Sequence, residues 1–191
     1  MASSTKPFAH NDPAWYSLAN RMFFRLYQCA NILHKTGTRA VEDVGLTTQR
    51  WAVLGALSRP EIADGISVGD LATYLKVSRQ SLSGITKRLE EDGLIESAAD
   101  TSDGRSRLFR LTNHGRTTFE EDATPLIEQF YDTAASGLSV EGMSHALHYI
   151  MVLLENMEAL DEDQRESAAG LCDWDLAARK RRRSRSTFRH R

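Results

Sequence analysis

The sequence predicts a mainly α-helical protein that contains one small β-hairpin. Apolar residues recur at helical spacing over three long stretches, at about residues 14–38, 113–135 and 143–160. Two short strand-like runs, residues 94–97 and 108–112, lie on either side of a group of turn-forming residues. The chain has 191 residues, of which 41% are hydrophobic, and this is enough for one well-packed core.

The stretch "LKVSRQSLSGITKRLEEDGLIE", residues 75–96, starts like a turn and continues like a helix. Ser78 is a good N-cap, and Gly93 is a good residue just beyond a helix C-terminus. We therefore predict a helix from about Arg79 to Asp92, with three apolar residues in one narrow arc on its buried face. These residues are Leu82, Ile85 and Leu89.

The opposite face of this helix is polar and basic. It carries Gln80, Ser83, Gly84 and Lys87, flanked by Arg79 and Arg88. Glutamine can read adenine, serine can pair with several base edges, and arginine or lysine can contact phosphate or guanine. Glycine leaves room for close approach. Most polar helix faces are simply solvated, and on this helix alone DNA reading is the alternative interpretation.

A shorter helix is predicted immediately upstream. Ser67 and Asp70 stand at the spacing of a capping box, and apolar residues then follow at helical intervals as far as Leu75. This helix, about Val68 to Tyr74, is separated from the next one by only a few residues. A short helix, a tight turn and a longer helix with a polar N-terminal half indicate a helix-turn-helix, whose second helix enters the major groove of DNA.

The predicted β-hairpin follows the helix-turn-helix directly. Arg105 and Arg107 lie at or near its tip, which also contains Asp100 and Asp103. A basic hairpin beside such a helix suits the minor groove, whose narrow A·T regions attract arginine. We interpret the two aspartates as residues that brace the loop, with Asp103 holding an arginine in position.

Together these segments resemble the winged helix-turn-helix of MarR-type transcriptional regulators. The resemblance rests on "LTTQRWAVLGAL", "SVGDLATYL", "SRQSLSGITKRLEEDGLIE", the wing pattern D-x-x-D-x-R from Asp100 to Arg105 and the closing "LTNHG", all within residues 46–116. The flanking helices extend it over about residues 14–160. The resemblance implies a homodimer, a palindromic operator in double-stranded DNA and, often, a small-molecule effector that alters DNA affinity.

The predicted DNA contacts lie on the second helix, at its N-cap and in the wing. They are Ser78, Arg79, Gln80, Ser81, Ser83, Gly84, Lys87, Arg88, Arg105 and Arg107. We predict a winged helix-turn-helix domain at residues 46–112 and a helical dimerisation region at residues 14–45 and 113–162. Residues 1–13 are predicted to be a flexible N-terminus, and residues 163–191 a disordered basic tail.

The net charge of −2 conceals an asymmetry along the chain. Residues 179–191, "RKRRRSRSTFRHR", contain eight Lys or Arg and no acid, which leaves 16 basic and 26 acidic residues in 1–178. An acidic body has to concentrate its positive field in a patch if it binds DNA. The basic tail could add non-specific phosphate contacts, or it could only increase solubility.

The resemblance also implies a place for the effector. In this family, effectors commonly bind between the dimer helices and the winged domain, and are often aromatic carboxylates or phenols. The matching region contains basic and aromatic residues that could clamp a carboxylate, namely Trp15, Arg21, Arg25, His34 and Trp51. The alternatives are that Arg21 and Arg25 are surface charges and that Trp51 belongs to the core.

Three other functions have weaker support. Cys29, near Tyr27 on the first helix, could sense oxidation as in some relatives, but its apolar stripe predicts a buried, unreactive thiol. His145 and His148 are close enough to share a metal, but no third ligand follows at a suitable spacing. A winged-helix adaptor that binds other proteins would not need a basic helix face.

No phosphate loop, nucleophile elbow or H-E-x-x-H motif is present, so we predict no enzyme activity and no cofactor. No apolar run approaches about 18 residues, and the first residues lack the features of a signal peptide. With two cysteines and no disulfide framework, the sequence predicts a cytoplasmic protein with no membrane partner. Its predicted function is that of a dimeric, sequence-specific DNA-binding repressor released by a small aromatic carboxylate.

Overall fold

The computed structural model describes the backbone of residues 12–99 and 107–186, and their side chains up to residue 164. The fold is mainly helical with a small three-stranded sheet, as the sequence predicts. Its elements are α1 (Pro13–Val41), α2 (Thr48–Leu57), β1 (Ile66–Ser67), α3 (Val68–Tyr74), α4 (Arg79–Glu91), β2 (Ile95–Ala99), β3 (Arg107–Leu111), α5 (Asn113–Thr117), α6 (Thr124–Ala134) and α7 (Val140–Ser186). The chain divides into two compact units, one ending at Ser136 and the other beginning at Gly137.

One hydrophobic core holds the first unit together, with α2, α3 and α4 at its centre. Leu54, Leu71, Leu82 and Leu89 are completely buried in it. The predicted burial of Leu82 and Leu89 is therefore confirmed, while Ile85 is only partly buried at the edge of the core. Each such leucine contributes about 1.5–3 kcal/mol through its removal from water.

The sheet has the strand order β1–β3–β2, and both pairings are antiparallel. Its hairpin strands occupy 95–99 and 107–111, within one to two residues of the predicted runs. β1 was not predicted because two residues are too few to show a periodicity, and its pairing with β3 connects distant parts of the chain. The predicted tip residues Asp100, Asp103 and Arg105 lie outside the described residues.

The helical region after the sheet differs from the single helix that the sequence predicts over 113–135. A π-helical segment, Thr118–Ala123, separates α5 from α6. Pro125 has no backbone N–H to donate to a residue in the preceding turn, so the regular α-helical pattern is broken there. The Thr124 hydroxyl instead donates to the Phe119 carbonyl at 2.8 Å.

The long helices carry many exposed apolar side chains. On α1 these include Trp15, Leu18, Phe23, Phe24 and Tyr27, and on α7 they include Leu147, Tyr149, Ile150, Met151 and Leu160. Cys29 on α1 is also exposed, so its predicted burial is wrong for the single chain. The reason is that the apolar stripe of α1 is covered by other residues of the described chain only towards Val41.

Helix α7 runs to Ser186, whereas the sequence predicts a helix that ends near residue 162 and a disordered tail after it. The segment beyond 162 has no apolar periodicity but is rich in alanine, leucine, lysine and arginine, which favour helix. Residues 187–191 lie outside the described part of the chain. Among the described residues, no helix combines the length and apolar character needed to cross a membrane.

Candidate DNA-binding surface and ligand cavity

The helix-turn-helix is held together by local hydrogen bonds that its sequence encodes. Ser67 caps α3 by accepting from the Asp70 N–H at 3.1 Å, and its hydroxyl donates to the Asp70 carboxylate at 2.7 Å. Ser78 caps α4 by accepting from the Ser81 N–H at 3.1 Å. Between the helices, Lys76 has φ +55°, a conformation that non-glycine residues rarely adopt, and this allows the tight turn.

Helix α4 has one buried face and one exposed polar face. The exposed face carries six of the predicted DNA contacts: Arg79, Gln80, Ser83, Gly84, Lys87 and Arg88. The hydroxyls of Ser78 and Ser81 are 2.8 Å apart and form part of the helix cap. Thr86 is buried, and its hydroxyl donates to the Ser83 carbonyl at 3.2 Å, a structural role that the sequence did not indicate.

Two surface clefts flank α4 and collect the predicted DNA contacts. We call the first, with a volume of about 420 Å³, the His34 cleft; its lining includes His34, Gln49, Arg50, Ser81, Gly84 and Arg88. We call the second, with a volume of about 650 Å³, the wing groove; its lining includes Gly69, Arg79, Ser83, Lys87, Glu90 and Arg107. Seven of the ten predicted contacts line one or other cleft, whereas Ser78 and Gln80 line neither and Arg105 lies outside the described residues.

Arg79 and Arg107 each lie beside a specific neighbour in the wing groove. A Cβ atom on Gly69 would be 3.1 Å from Nη2 of Arg79, so the glycine lets this guanidinium lie against α3. Nη2 of Arg107 is 3.6 Å from Oε1 of Glu90 on α4. Arg107 is thus placed next to α4. The other arginine predicted for the wing, Arg105, lies outside the described residues.

Arg50 on α2 makes a tertiary contact that the sequence did not indicate. Its guanidinium forms an ion pair with Asp92, which caps the C-terminus of α4, and also donates to the Gly45 carbonyl at 2.9 Å. Arg50 therefore connects α2 to α4 by a side-chain contact. No local pattern could have revealed this pair, because its partners are 42 residues apart.

A third space, the aromatic cavity, lies under α2. It has a volume of about 140 Å³, and its lining includes Leu33, Val41, Thr48, Trp51, Phe130 and Tyr131. None of its described lining residues is charged. The Trp51 ring stacks on Phe119, with the centroids 6.3 Å apart, and meets Tyr131 edge to face at 6.4 Å. Partial burial raises the pKa of Tyr131.

The indole N–H of Trp51 is buried and has no hydrogen-bond partner within the described part of the chain. A buried donor without an acceptor costs about 1–3 kcal/mol, so such a group requires an explanation. The Thr48 hydroxyl, on the same cavity wall, is already bonded to the His34 carbonyl at 3.1 Å. An acceptor atom inside the cavity would satisfy the indole.

The five residues predicted to bind an effector do not come together in one cavity. Trp51 lines the aromatic cavity, and His34 lines the His34 cleft. Trp15, Arg21 and Arg25 are exposed on α1, and Arg25 donates to the Gln28 side chain at 2.9 Å. The predicted arginine clamp is therefore not formed within the described chain, because these arginines point to the surface of α1.

The fold and the basic helix face define a winged helix-turn-helix DNA-binding protein. The profile of the MarR family matches residues 44–106. The chain is 57% identical over 145 residues to the transcriptional activatory protein BadR of Rhodopseudomonas palustris, covering 76% of this chain and 83% of that protein. It belongs to the MarR family of transcriptional regulators, as the resemblance implies.

Two further comparisons agree with this assignment. The homoprotocatechuate degradative operon repressor of Escherichia coli is 30% identical over 130 residues, covering 68% of this chain and 82% of the repressor. The crystal structure of the M. tuberculosis transcriptional regulator MOSR in complex with DNA has the same fold. Its TM-score is 0.62 at 23% identity, covering 71% of this chain and 95% of that one. The fold and the relatives are those of DNA-binding regulators and not of enzymes.

Proposed function

We propose that this protein is a homodimeric regulator that binds a palindromic operator and controls genes for the breakdown of an aromatic compound in response to that compound. Family membership supports the DNA-binding part of the proposal. The aromatic cavity, with the unpartnered indole N–H of Trp51, is the observation that carries the ligand part.

In the proposed complex, the N-terminal half of α4 lies in the major groove. Gln80, Ser83 and Lys87 face the major groove, and Gly84 allows close approach. Arg79 and Arg88 face phosphate. The exposure of these residues on one helix face supports this arrangement. The wing then lies over the adjacent minor groove, as expected for a winged helix.

The proposed dimer uses the apolar surfaces of α1 and α7. Single chains seldom expose so many large apolar side chains on two long helices, and a second copy would remove them from water. A two-fold dimer presents two copies of α4 to half-sites about 34 Å apart, which accounts for a palindromic operator.

The proposed effector is a single-ring aromatic acid. The aromatic cavity, at about 140 Å³, is close to the roughly 150 Å³ of an engineered apolar cavity that binds benzene. One oxygen of the effector accepts from Trp51, and the neutral phenol of Tyr131 is a second possible donor. Because the described lining is uncharged, the ring is buried and the carboxylate lies at the rim.

The test combines DNA binding with intrinsic fluorescence. The full chain is titrated into labelled operator, with and without benzoate, hydroxybenzoates and cinnamate, while tryptophan emission reports ligand binding. Trp51→Phe keeps a ring but loses the N–H. We expect it to weaken the effect of the acid on operator binding about tenfold and to leave DNA affinity without ligand unchanged. Trp15→Phe is the matched control and should respond like the wild type.

Two outcomes would contradict the ligand proposal. If none of the acids alters operator binding, aromatic thioesters and oxidation of the exposed Cys29 become the next effectors to test. If Trp15→Phe loses the response and Trp51→Phe keeps it, the effector binds on α1 and not in the aromatic cavity.

Activation is the second form of regulation to consider, because the relative with 57% identity is named as an activator. A promoter reporter distinguishes the two forms. Repression predicts high expression when the regulator gene is deleted, and activation predicts low expression that effector cannot restore without the regulator.

A further inference from the structure

Glu90 is out of place in a basic surface. The wing groove is lined by three cations, Arg79, Lys87 and Arg107, and Glu90 is the acid among its described lining residues. A carboxylate there repels the DNA phosphates that the cations attract. Its presence therefore needs a structural reason.

Both strands of the wing contact this one carboxylate. The Ser97 hydroxyl on β2 donates to Oε1 of Glu90 at 2.5 Å. Nη2 of Arg107 on β3 lies 3.6 Å from the same oxygen. Glu90 is partly buried, with 29% of its side chain exposed, while Arg107 is 64% exposed, so the ion pair is partly screened by solvent.

The register of the hairpin explains why these two residues reach α4 together. Ser97 is paired with Phe109, and Arg107 is paired with Ala99, so all four side chains lie on one face of the sheet. Phe109 is buried, which identifies this face as the one packed on the body of the protein. On the other face, Arg110 pairs with Glu96 at 2.7 Å and does not contact α4.

We propose that Glu90 is a positioning residue that holds both wing strands at a set distance from α4 and so determines how well the protein distinguishes its operator from other DNA. The proposal rests on the DNA-binding arrangement given under Proposed function. Glu90 holds Arg107 beside the major-groove helix, and through Ser97 it holds β2, so the wing and α4 reach DNA in one fixed geometry. Its effect is on specificity more than on total affinity.

Direct reading of a base by Glu90 is the alternative role, since a glutamate can accept from cytosine. Two observations argue against it. Glu90 is the penultimate residue of α4, whereas base contacts in this motif come from the N-terminal half of the helix. The oxygen Oε1 is also already occupied by Ser97 and Arg107.

The test compares Glu90→Gln with Glu91→Gln in the full chain. An operator is first selected from a random duplex library by the wild type, and dissociation constants are then measured for that operator and for a scrambled duplex at several salt concentrations. Glu91 is the matched control because it loses the same charge one residue away and pairs with Lys87, at 3.8 Å, instead of the wing.

For Glu90→Gln we expect the ratio of scrambled to operator dissociation constants to fall about three- to tenfold. Affinity for scrambled DNA should hold or rise, with a salt slope steeper by up to about 0.9, because Arg107 is released to contact phosphate. Glu91→Gln should keep the wild-type ratio. Ser97→Ala should lower the ratio without changing the salt slope, because no charge is altered.

Equal ratios for Glu90→Gln and the wild type would overturn the proposal. So would parallel losses of both affinities together with a lower melting temperature, which indicate a purely structural role. If the wild type itself selects no sequence, the DNA-binding arrangement fails and this proposal fails with it. If the wild type selects an operator but Glu90→Gln has the same ratio of dissociation constants, only the proposed role of Glu90 is rejected.

Discussion

Among the glycines that the structure describes, Gly115 at the start of α5 has the least room for a side chain. A Cβ atom there would lie 1.8 Å from the Leu94 carbonyl oxygen and 2.7 Å from its carbonyl carbon. Both are backbone atoms, so no side-chain rotation can relieve the overlap. We therefore expect Gly115→Ala to push α5 away from the junction between α4 and β2 by about 1 Å, since real Cβ atoms essentially never approach closer than 3.0 Å.

The cost of this displacement has two parts. Strain from an added methyl group in a packed site is about 1–3 kcal/mol. The movement also stretches the cap of α5, in which the Thr112 hydroxyl accepts from the Gly115 N–H at 2.9 Å, and a lost cap costs about 0.5–2 kcal/mol. Alanine returns about 1 kcal/mol through its higher helix propensity. The expected net loss is about 0.5–4 kcal/mol, or a fall in melting temperature of roughly 1–16 °C.

Urea and thermal unfolding followed by circular dichroism measure this loss. Gly84→Ala is the control, because a Cβ on this helical glycine meets nothing within 4 Å. That control should gain about 0.5–1 kcal/mol of stability and still lose operator affinity, because the methyl group fills the space left for DNA. A Gly115→Ala protein as stable as the wild type would show that α5 does not pack on the Leu94 peptide as described.

Three further predictions concern other parts of the chain. Lys87→Ala should weaken operator binding with an unchanged dimer, whereas Leu147→Ala should weaken the dimer by sedimentation analysis and affect DNA binding only through it. Partial burial raises the pKa of Tyr131, so above about pH 10 the folded chain keeps a proton that the unfolded chain releases. The free energy of unfolding should therefore fall as the pH rises above about 10. Tyr131→Phe should remove this part of the pH dependence. Deletion of residues 179–191 should make DNA affinity less dependent on salt, with the slope of log affinity against log salt falling by about 0.9 for each lost phosphate contact. Sequence preference should not change. An unchanged slope would exclude a DNA role for these eight cations.

The parts of the fold that could be predicted from sequence are those that local interactions specify. The caps at Ser67 and Ser78 and the spacing of Leu82 and Leu89 act within one or two helical turns, and the helix-turn-helix followed from them. β1 could not be predicted in this way, because a two-residue strand exists only through its partner in β3. The break at Pro125 was visible in the sequence but was outweighed by the apolar repeat on either side.

In the candidate site, too, features set by local geometry could be predicted from sequence and features set by tertiary contacts could not. The exposed face of α4 follows from helical geometry, so the residues proposed to contact DNA could be placed on one face from the sequence. The partners of Glu90 and Arg50 could not, since each ion pair joins elements that only the tertiary fold brings together. The effector residues were taken from the region that the family resemblance implies, and of these Trp51 lines the aromatic cavity. The cavity is formed where α2 meets the end of α1 and α6, so Phe130 and Tyr131 line it and Trp15 does not.

Helix α2 lines the aromatic cavity and is also joined to α4, and under the proposed function this gives a route by which a ligand acts within one chain. Trp51 lines the cavity, while its neighbour Arg50 pairs with Asp92 at the end of α4. A ligand that shifts α2 must then shift α4 or break this pair. Arg50→Met and Asp92→Asn should each bind effector normally by tryptophan fluorescence but lose most of its effect on DNA affinity. The double variant should lose no more than either single one, because the two side chains act through one contact. Additive losses would mean that the signal travels through the dimer helices.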